Sequence, residues 1–303
     1  MNSQIRTLSI YVILAACLAI ISQHNSLIDN SAESVSIGEI KQVKKSKIKK
    51  ASAPISAGKV RIIKRWQLPE ILREVSAIVY LDKERFACIM DEKGTIYIFN
   101  TSLNAIEKEI PFTGNGDFEG LAINGKTAYA LKSDGRLFII SDYNGKPSVK
   151  EIETMFSTKE NMESLCYDHI NNRLLLVPKS KNLRSPDYKG IYAFDLKSNE
   201  LVTTPVIKIY LGDKILKKNK RKSSITPSDM AIHPKTGEFY IVEGSNPKIV
   251  VIGPDGNLKK LYSLNKKDFP LAEGITFSPS GELFISSEGG DKGNGTITQL
   301  ELE

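Results

Sequence analysis

Three glutamates stand at the same point of a repeated phrase, and carboxylates brought together from separate segments do acid–base or cation chemistry. Glu119, Glu163 and Glu273 occur in Phe118-Glu119-Gly120-Leu121-Ala122, Met162-Glu163-Ser164-Leu165-Cys166 and Ala272-Glu273-Gly274-Ile275-Thr276. Two further copies, Val75-Ser76-Ala77-Ile78-Val79 and Pro227-Ser228-Asp229-Met230-Ala231, carry serine there. Carboxylates gathered on one axis repel, so in a narrow mouth at least one pKa rises unless a cation joins them. Ca²⁺ suits such a ring because it accepts carboxylate, carbonyl and water oxygens in flexible geometry. Zinc finds no histidine in the ring, and Mg²⁺ keeps more of its water and fewer protein ligands. Glu119, Glu163 and Glu273 are therefore the expected metal ligands. Ser76 and Ser228 stand between them, and Asp229, one residue out of phase, is the alternative to Ser228.

The elements that would position these residues follow from the spacing. From Ser76 to Glu119, Glu163, Ser228 and Glu273 the steps are 43, 44, 65 and 45 residues. A period of that length with all-strand content predicts an all-β fold, a five-bladed β-propeller of four-stranded antiparallel blades. In the first repeat the strands are read at Ser76–Tyr80, Arg85–Met90, Thr95–Asn100 and Ala105–Pro111. Turn signals such as Ser133-Asp134-Gly135, Pro254-Asp255-Gly256 and Pro279-Ser280-Gly281 separate the later ones. The 65-residue step reads as one blade with two insertions, Ser180–Tyr188 and Gly212–Thr226, the second a lysine-rich solvated loop. Pairing of the strand near Val60–Leu68 with Gly295–Glu303 would close the ring and remove exposed edges.

The first strand of a blade starts at one rim and the second returns to it. Second strands end near Asp91, Lys132, Lys179, Glu243 and Glu288, which lie 15, 13, 16, 15 and 15 residues after the five phrase positions. Both sets should crown one face, the outer set supporting the ring or binding a ligand.

Composition narrows the partners. The chain has 303 residues, 41% hydrophobic and 25% charged, with a formal charge of +7. Residues 1–65 hold eleven basic residues against three acidic ones, so the remainder has one more acidic residue than basic. The domain offers no basic face for nucleic acid. The basic leader reads as a tether near anionic lipid or as a soluble linker. Residues 1–21 combine Arg6 with an apolar run from Leu8 to Ile21, of signal length and short for a transmembrane helix. Leu14-Ala15-Ala16-Cys17 looks like a bacterial lipobox, with Cys17 the lipidation site. An uncleaved anchor and cleavage after Ile21 stay open beside it, and each sends the domain out of the cytosol. Residues 22–58 read as a flexible Lys/Ser-rich linker and 59–303 as the propeller.

Nucleophilic catalysis has little to build on. His169 and His233 fall in turns at the rim opposite the acids, and GxSxG, HExxH and P-loop patterns are absent. Cys88 and Cys166 lie in apolar strands of different repeats and read as buried thiols.

The order of the phrases carries a resemblance. Asp117 to Ala122, Asn161 to Leu165, Ser228 to Pro234, and Ala272 to Ile275 followed by Leu283 to Glu288 resemble the SdiA-regulated family of bacterial envelope propellers, distantly similar to NHL-repeat propellers. The resemblance covers about Val60 to Glu303. It implies a five-bladed propeller with a calcium site at Glu119, Glu163 and Glu273, and an N-terminal membrane anchor facing the periplasm or exterior. The chain departs from the family at Ser164, where glycine is usual, and at Lys179-Ser180, where Lys-Glu is common.

Two functional expectations result. One is a calcium-dependent binding or sensing module of the cell envelope, with a small anionic ligand or a protein partner at the channel face. The other is a calcium-dependent hydrolase of lactones or phosphoesters, with Lys132 and Lys179 holding the anion and Glu243 or Glu288 as base.

Overall fold

A computed structural model of the chain describes residues 57–303 except 181–182, 213–215, 217–224 and 291–292. These belong to the compact unit Ser52–Glu303. The leader, Cys17, most of the linker and the lysines of the Gly212–Thr226 insertion fall outside the described residues. Among the described residues no helix is long and apolar enough to cross a membrane. The one helical element among them is a 3₁₀ turn at Glu70–Leu72.

Among the described residues, twenty-two strands form five sheets. β1 (Ala57–Gly58) and β2 (Val60–Gln67) open the chain. Blade 1 holds β3 (Val75–Tyr80), β4 (Arg85–Met90), β5 (Lys93–Asn100) and β6 (Ala105–Asn115). Blade 2 holds β7 (Phe118–Asn124), β8 (Thr127–Lys132), β9 (Leu137–Ser141) and β10 (Ser148–Ile152). Blade 3 holds β11 (Met162–Asp168), β12 (Arg173–Pro178) and β13 (Tyr188–Asp195), with a broken outer strand, β14 (Glu200–Leu201) and β15 (Ile207–Tyr210), both paired to β13. Blade 4 holds β16 (Asp229–Ile232), β17 (Phe239–Glu243), β18 (Lys248–Ile252) and β19 (Leu258–Ser263). Blade 5 holds β20 (Leu271–Phe277), β21 (Leu283–Glu288) and β22 (Thr296–Leu302), and β2 completes it. The long interval is thus one blade, as its single phrase predicts.

Closure is by the two ends of the domain. β2 pairs antiparallel with β22 from Val60↔Leu302 to Gln67↔Thr296, and Lys59 and Glu303 exchange backbone bonds at 3.0 and 3.1 Å. β1 crosses to blade 4 and pairs in parallel with β19. β2 and β1 thereby cover the outer edges of β22 and β19.

Alternation along the strands places one face of every blade against each neighbour. Five apolar clusters result, one per interface. Phe118 and Phe138 of blade 2 meet Ile89 and Ile96 of blade 1, and Leu165 and Leu176 of blade 3 meet Leu131 and Leu137 of blade 2. Cys166 lies between blades 3 and 4, and Cys88 between blades 5 and 1, both buried and free. Turn chemistry fixes the strand ends. Gly281, at φ +96, closes the Pro279-Ser280-Gly281 turn with its N–H on Ser278 O at 2.9 Å, a conformation that suits a residue without Cβ.

The innermost strands β3, β7, β11, β16 and β20 adjoin one another in that order and close on β3. They wall a central channel whose mouth carries the acids.

Candidate functional site: an acid ring at the channel mouth

A local irregularity builds the ring. In four blades the inner strand bulges at the phrase position: the register skips between Val75 and Ala77, Phe118 and Gly120, Met162 and Ser164, and Ala272 and Ile275. Ser76, Glu119, Glu163 and Glu273 are the residues skipped, with Gly274 beside the last. A bulge re-aims a side chain out of the pleat, a device common at sheet ends and functional sites. In blade 4, Ser228 takes the equivalent place just before β16, its N–H bonded to Val242 O at 2.9 Å.

In blades 2 and 5 the next residue of the phrase packs tightly on the following blade. A Cβ on Gly120 would meet Leu165 Cβ at 2.7 Å, and one on Gly274 would meet Ile78 N at 2.8 Å. Asp229 occupies this position in blade 4. Its Oδ2 accepts the Ile275 N–H at 3.0 Å, while Oδ1 has no hydrogen-bond partner. Burial holds its carboxyl well above the usual aspartate range.

The three ring glutamates share one electrostatic field. Glu119 is pushed up to about 9, first by burial and then by the charges of Glu163, Asp117 and Glu273. Glu163 rises to about 7 through burial, against the pull of Lys179. Glu273 is also raised by burial, opposed by Lys179 and by the Ser228 hydroxyl bonded to it. Ser228 Oγ in turn accepts the Gly244 N–H at 3.2 Å.

Lys179 sits among these acids. It forms an ion pair with Glu163 Oε2, and Asn161 Nδ2 donates to Glu163 Oε1 at 2.6 Å. Burial works against the lysine charge, but Glu273, Glu163 and Glu119 together hold its pKa above the usual value.

The outer set divides. Glu288 rises to about 7 by burial and by its neighbours Glu273, Asp91 and Glu74, and so joins the field of the ring. Asp91 is raised by burial and by Glu74. Lys132 turns aside, 3.9 Å from Asp134 and over the Phe118 ring. Glu243 is engaged by Lys248 and by the Thr226 hydroxyl at 3.0 Å. Asn161 and Lys189 escape a reading based on repeats. Asn161, at φ 49, has the left-handed backbone that asparagine tolerates. Lys189, 2% exposed, donates through Nζ to the carbonyls of Lys179 and Ser180 at 3.0 and 3.2 Å. A lysine inside the apolar run of β13 was the available signal for it.

The donors around the mouth are carboxylate and hydroxyl oxygens, with no imidazole or thiolate among those named. That chemistry fits a hard cation. Among the described residues, no three acids, histidines or cysteines stand close enough to form a coordination shell as placed. Lys179 provides positive charge within the ring instead.

Fold and mouth define a five-bladed propeller with a buried acidic channel entrance. The chain belongs to the SdiA-regulated family, whose profile matches residues 51–290. No curated protein sequence matches it. Among solved structures it is similar to the glutaminyl cyclase of Myxococcus xanthus, at 16% identity and a TM-score of 0.58, covering 83% of this chain and 99% of that one. It is also similar to the PQQ-bound aldose sugar dehydrogenase of Streptomyces coelicolor, at 11% identity and a TM-score of 0.50, covering 83% and 100%. At such identities the likeness is one of fold.

Proposed function

We propose that this propeller is a calcium-dependent binding or sensing module of the bacterial cell envelope, held at a membrane by its N-terminal segment. The observation that carries this reading is the meeting of Glu119, Glu163 and Glu273 from three blades around one mouth, with Lys179 among them to offset part of their charge. Ca²⁺ would draw on those carboxylates and on the Ser228 hydroxyl, and would supply a fixed positive charge for an anionic ligand or an acidic protein segment. Because the carboxylates surround the mouth without converging on one point, binding requires them to draw inward, and the channel would tighten with it.

The test is thermal unfolding with and without calcium. Millimolar Ca²⁺ should raise the melting temperature of the wild type through preferential binding to the folded state. Glu163→Gln should abolish the shift. An unchanged wild-type melting temperature at 10-fold higher calcium would refute the reading.

A second reading, a calcium-dependent hydrolase of lactones or phosphoesters, is favoured by Glu119, which stays protonated near neutral pH and so can donate a proton. Lys179 would hold the substrate anion. Calcium-dependent turnover of a lactone or phosphoester panel, lost in Glu163→Gln, would establish it. A calcium shift without turnover leaves the binding module.

A further inference from the structure

The two buried lysine–glutamate pairs on this rim differ in one respect. In the Lys248–Glu243 pair both side chains are enclosed, 12% and 2% exposed, and Thr226 donates to the same carboxylate oxygen as the lysine. In the Lys179–Glu163 pair the carboxylate is 5% exposed but the lysine is 26% exposed. The Lys179 side chain thus reaches water to an extent that Glu163 does not.

The backbone beneath Lys179 is fixed. Its N–H bonds to Asn161 O at 2.9 Å, and the Ser180 N–H bonds to Glu160 O at 3.0 Å. From the other side, buried Lys189 donates to the carbonyls of Lys179 and Ser180 themselves. Lys189 spends its ammonium on two neutral oxygens, although burial pulls its pKa down to about 8. Such an arrangement fixes the base of Lys179 and leaves only its long side chain to move. Lys189 is therefore a positioning residue for Lys179.

We propose that Lys179 is a tethered counter-ion of the acid ring, which a divalent cation must displace in order to bind. This rests on the reading of the ring as a cation site and adds its regulation. Without the guest, Lys179 neutralises part of the ring and keeps the mouth folded. When the guest arrives, the ammonium swings outward to water and presents a positive group at the rim. The lysine sets the affinity of the site, because each binding event must break the Lys179–Glu163 pair. It also makes the outward ammonium available to an anionic ligand only in the loaded state, which couples the two guests in sign.

The test compares calcium affinity by titration calorimetry in the wild-type chain and in Lys179→Met, which keeps the apolar stem and removes the charge. The expected result is at least tenfold tighter calcium binding by the variant, together with a lower melting temperature in chelator. Wild-type binding with no tighter binding by Lys179→Met would overturn this inference and leave the cation site standing. Absence of binding in both would overturn the cation site and this inference with it. Should the variant unfold in chelator, the scan is repeated in saturating calcium. Recovery of the wild-type melting temperature supports displacement, and failure to recover it overturns the inference. Lys179→Arg, which keeps the charge on a longer side chain, should stay within a few fold of wild type.

Discussion

Asp229 Oδ2 accepts the backbone N–H of Ile275 at 3.0 Å, so a side chain of blade 4 bonds the inner strand of blade 5. The inner strands of blades 4 and 5 are thereby joined at the channel. Removing the acceptor would leave a buried donor unpaired, which costs about 1–3 kcal/mol. Asp229→Ala should lose stability in that range by urea unfolding. Asp229→Asn, which keeps an acceptor oxygen, should lose less. An alanine variant as stable as wild type would remove Asp229 from this role.

The acid ring gives stability a definite pH dependence in chelator. Glu119 and Glu163 have folded-state pKa values of about 9 and about 7 against an ordinary 4.5. Glu288 behaves like Glu163, at about 7. The native state therefore binds more protons than the unfolded state between those values. Stability contributed by these groups is complete below about 4.5 and is lost as pH rises through 7 and then 9. Urea midpoints at a series of pH values should fall across this window. Glu119→Gln should flatten the part above about 7 and make the fall below it shallower.

Interfaces between blades carry the apolar core. Leu176 is fully buried between blades 2 and 3. Leu176→Ala should cost about 2–5 kcal/mol, by lost transfer energy and the cavity left behind. The denaturant slope should stay near wild type if the ring unfolds as one unit.

Cys88 and Cys166 sit in different interfaces, 5/1 and 3/4, so no disulfide can link them without refolding. Burial pushes both thiols well above the usual range. Alkylation mapped by mass spectrometry should leave both unmodified in native conditions and modify both in denaturant.

Much of the architecture was legible because strands and turns alternate on a regular step. The phrases at Ser76, Glu119, Glu163, Ser228 and Glu273 each open an inner strand or stand just before one. The strand near Val60–Leu68 and the last residues meet in blade 5 as their edge chemistry predicts. The return of second strands to the same rim was also legible, since Lys132 pairs with Phe118 and Glu288 with Leu271. The bulges were not, because a bulge is defined by the partner strand and leaves no mark on period-two alternation. Asp229 shows the consequence. One residue out of phase, it ranks below Ser228 in sequence, yet the inner-strand geometry turns two successive residues of the phrase to useful places. The fates of Lys132 and Lys179 were equally hidden. The lysines hold equivalent positions, but Asp134 and Phe118 hold one aside, while Glu163 draws the other into the ring.

The central claim is that Glu119, Glu163 and Glu273 serve one positive guest together. Calorimetric titration of calcium into the wild type and into Glu119→Gln, Glu163→Gln and Glu273→Gln tests it most directly. The account predicts one ion per chain and a loss of at least tenfold in affinity for each variant. Absence of binding, or binding indifferent to all three substitutions, would contradict it.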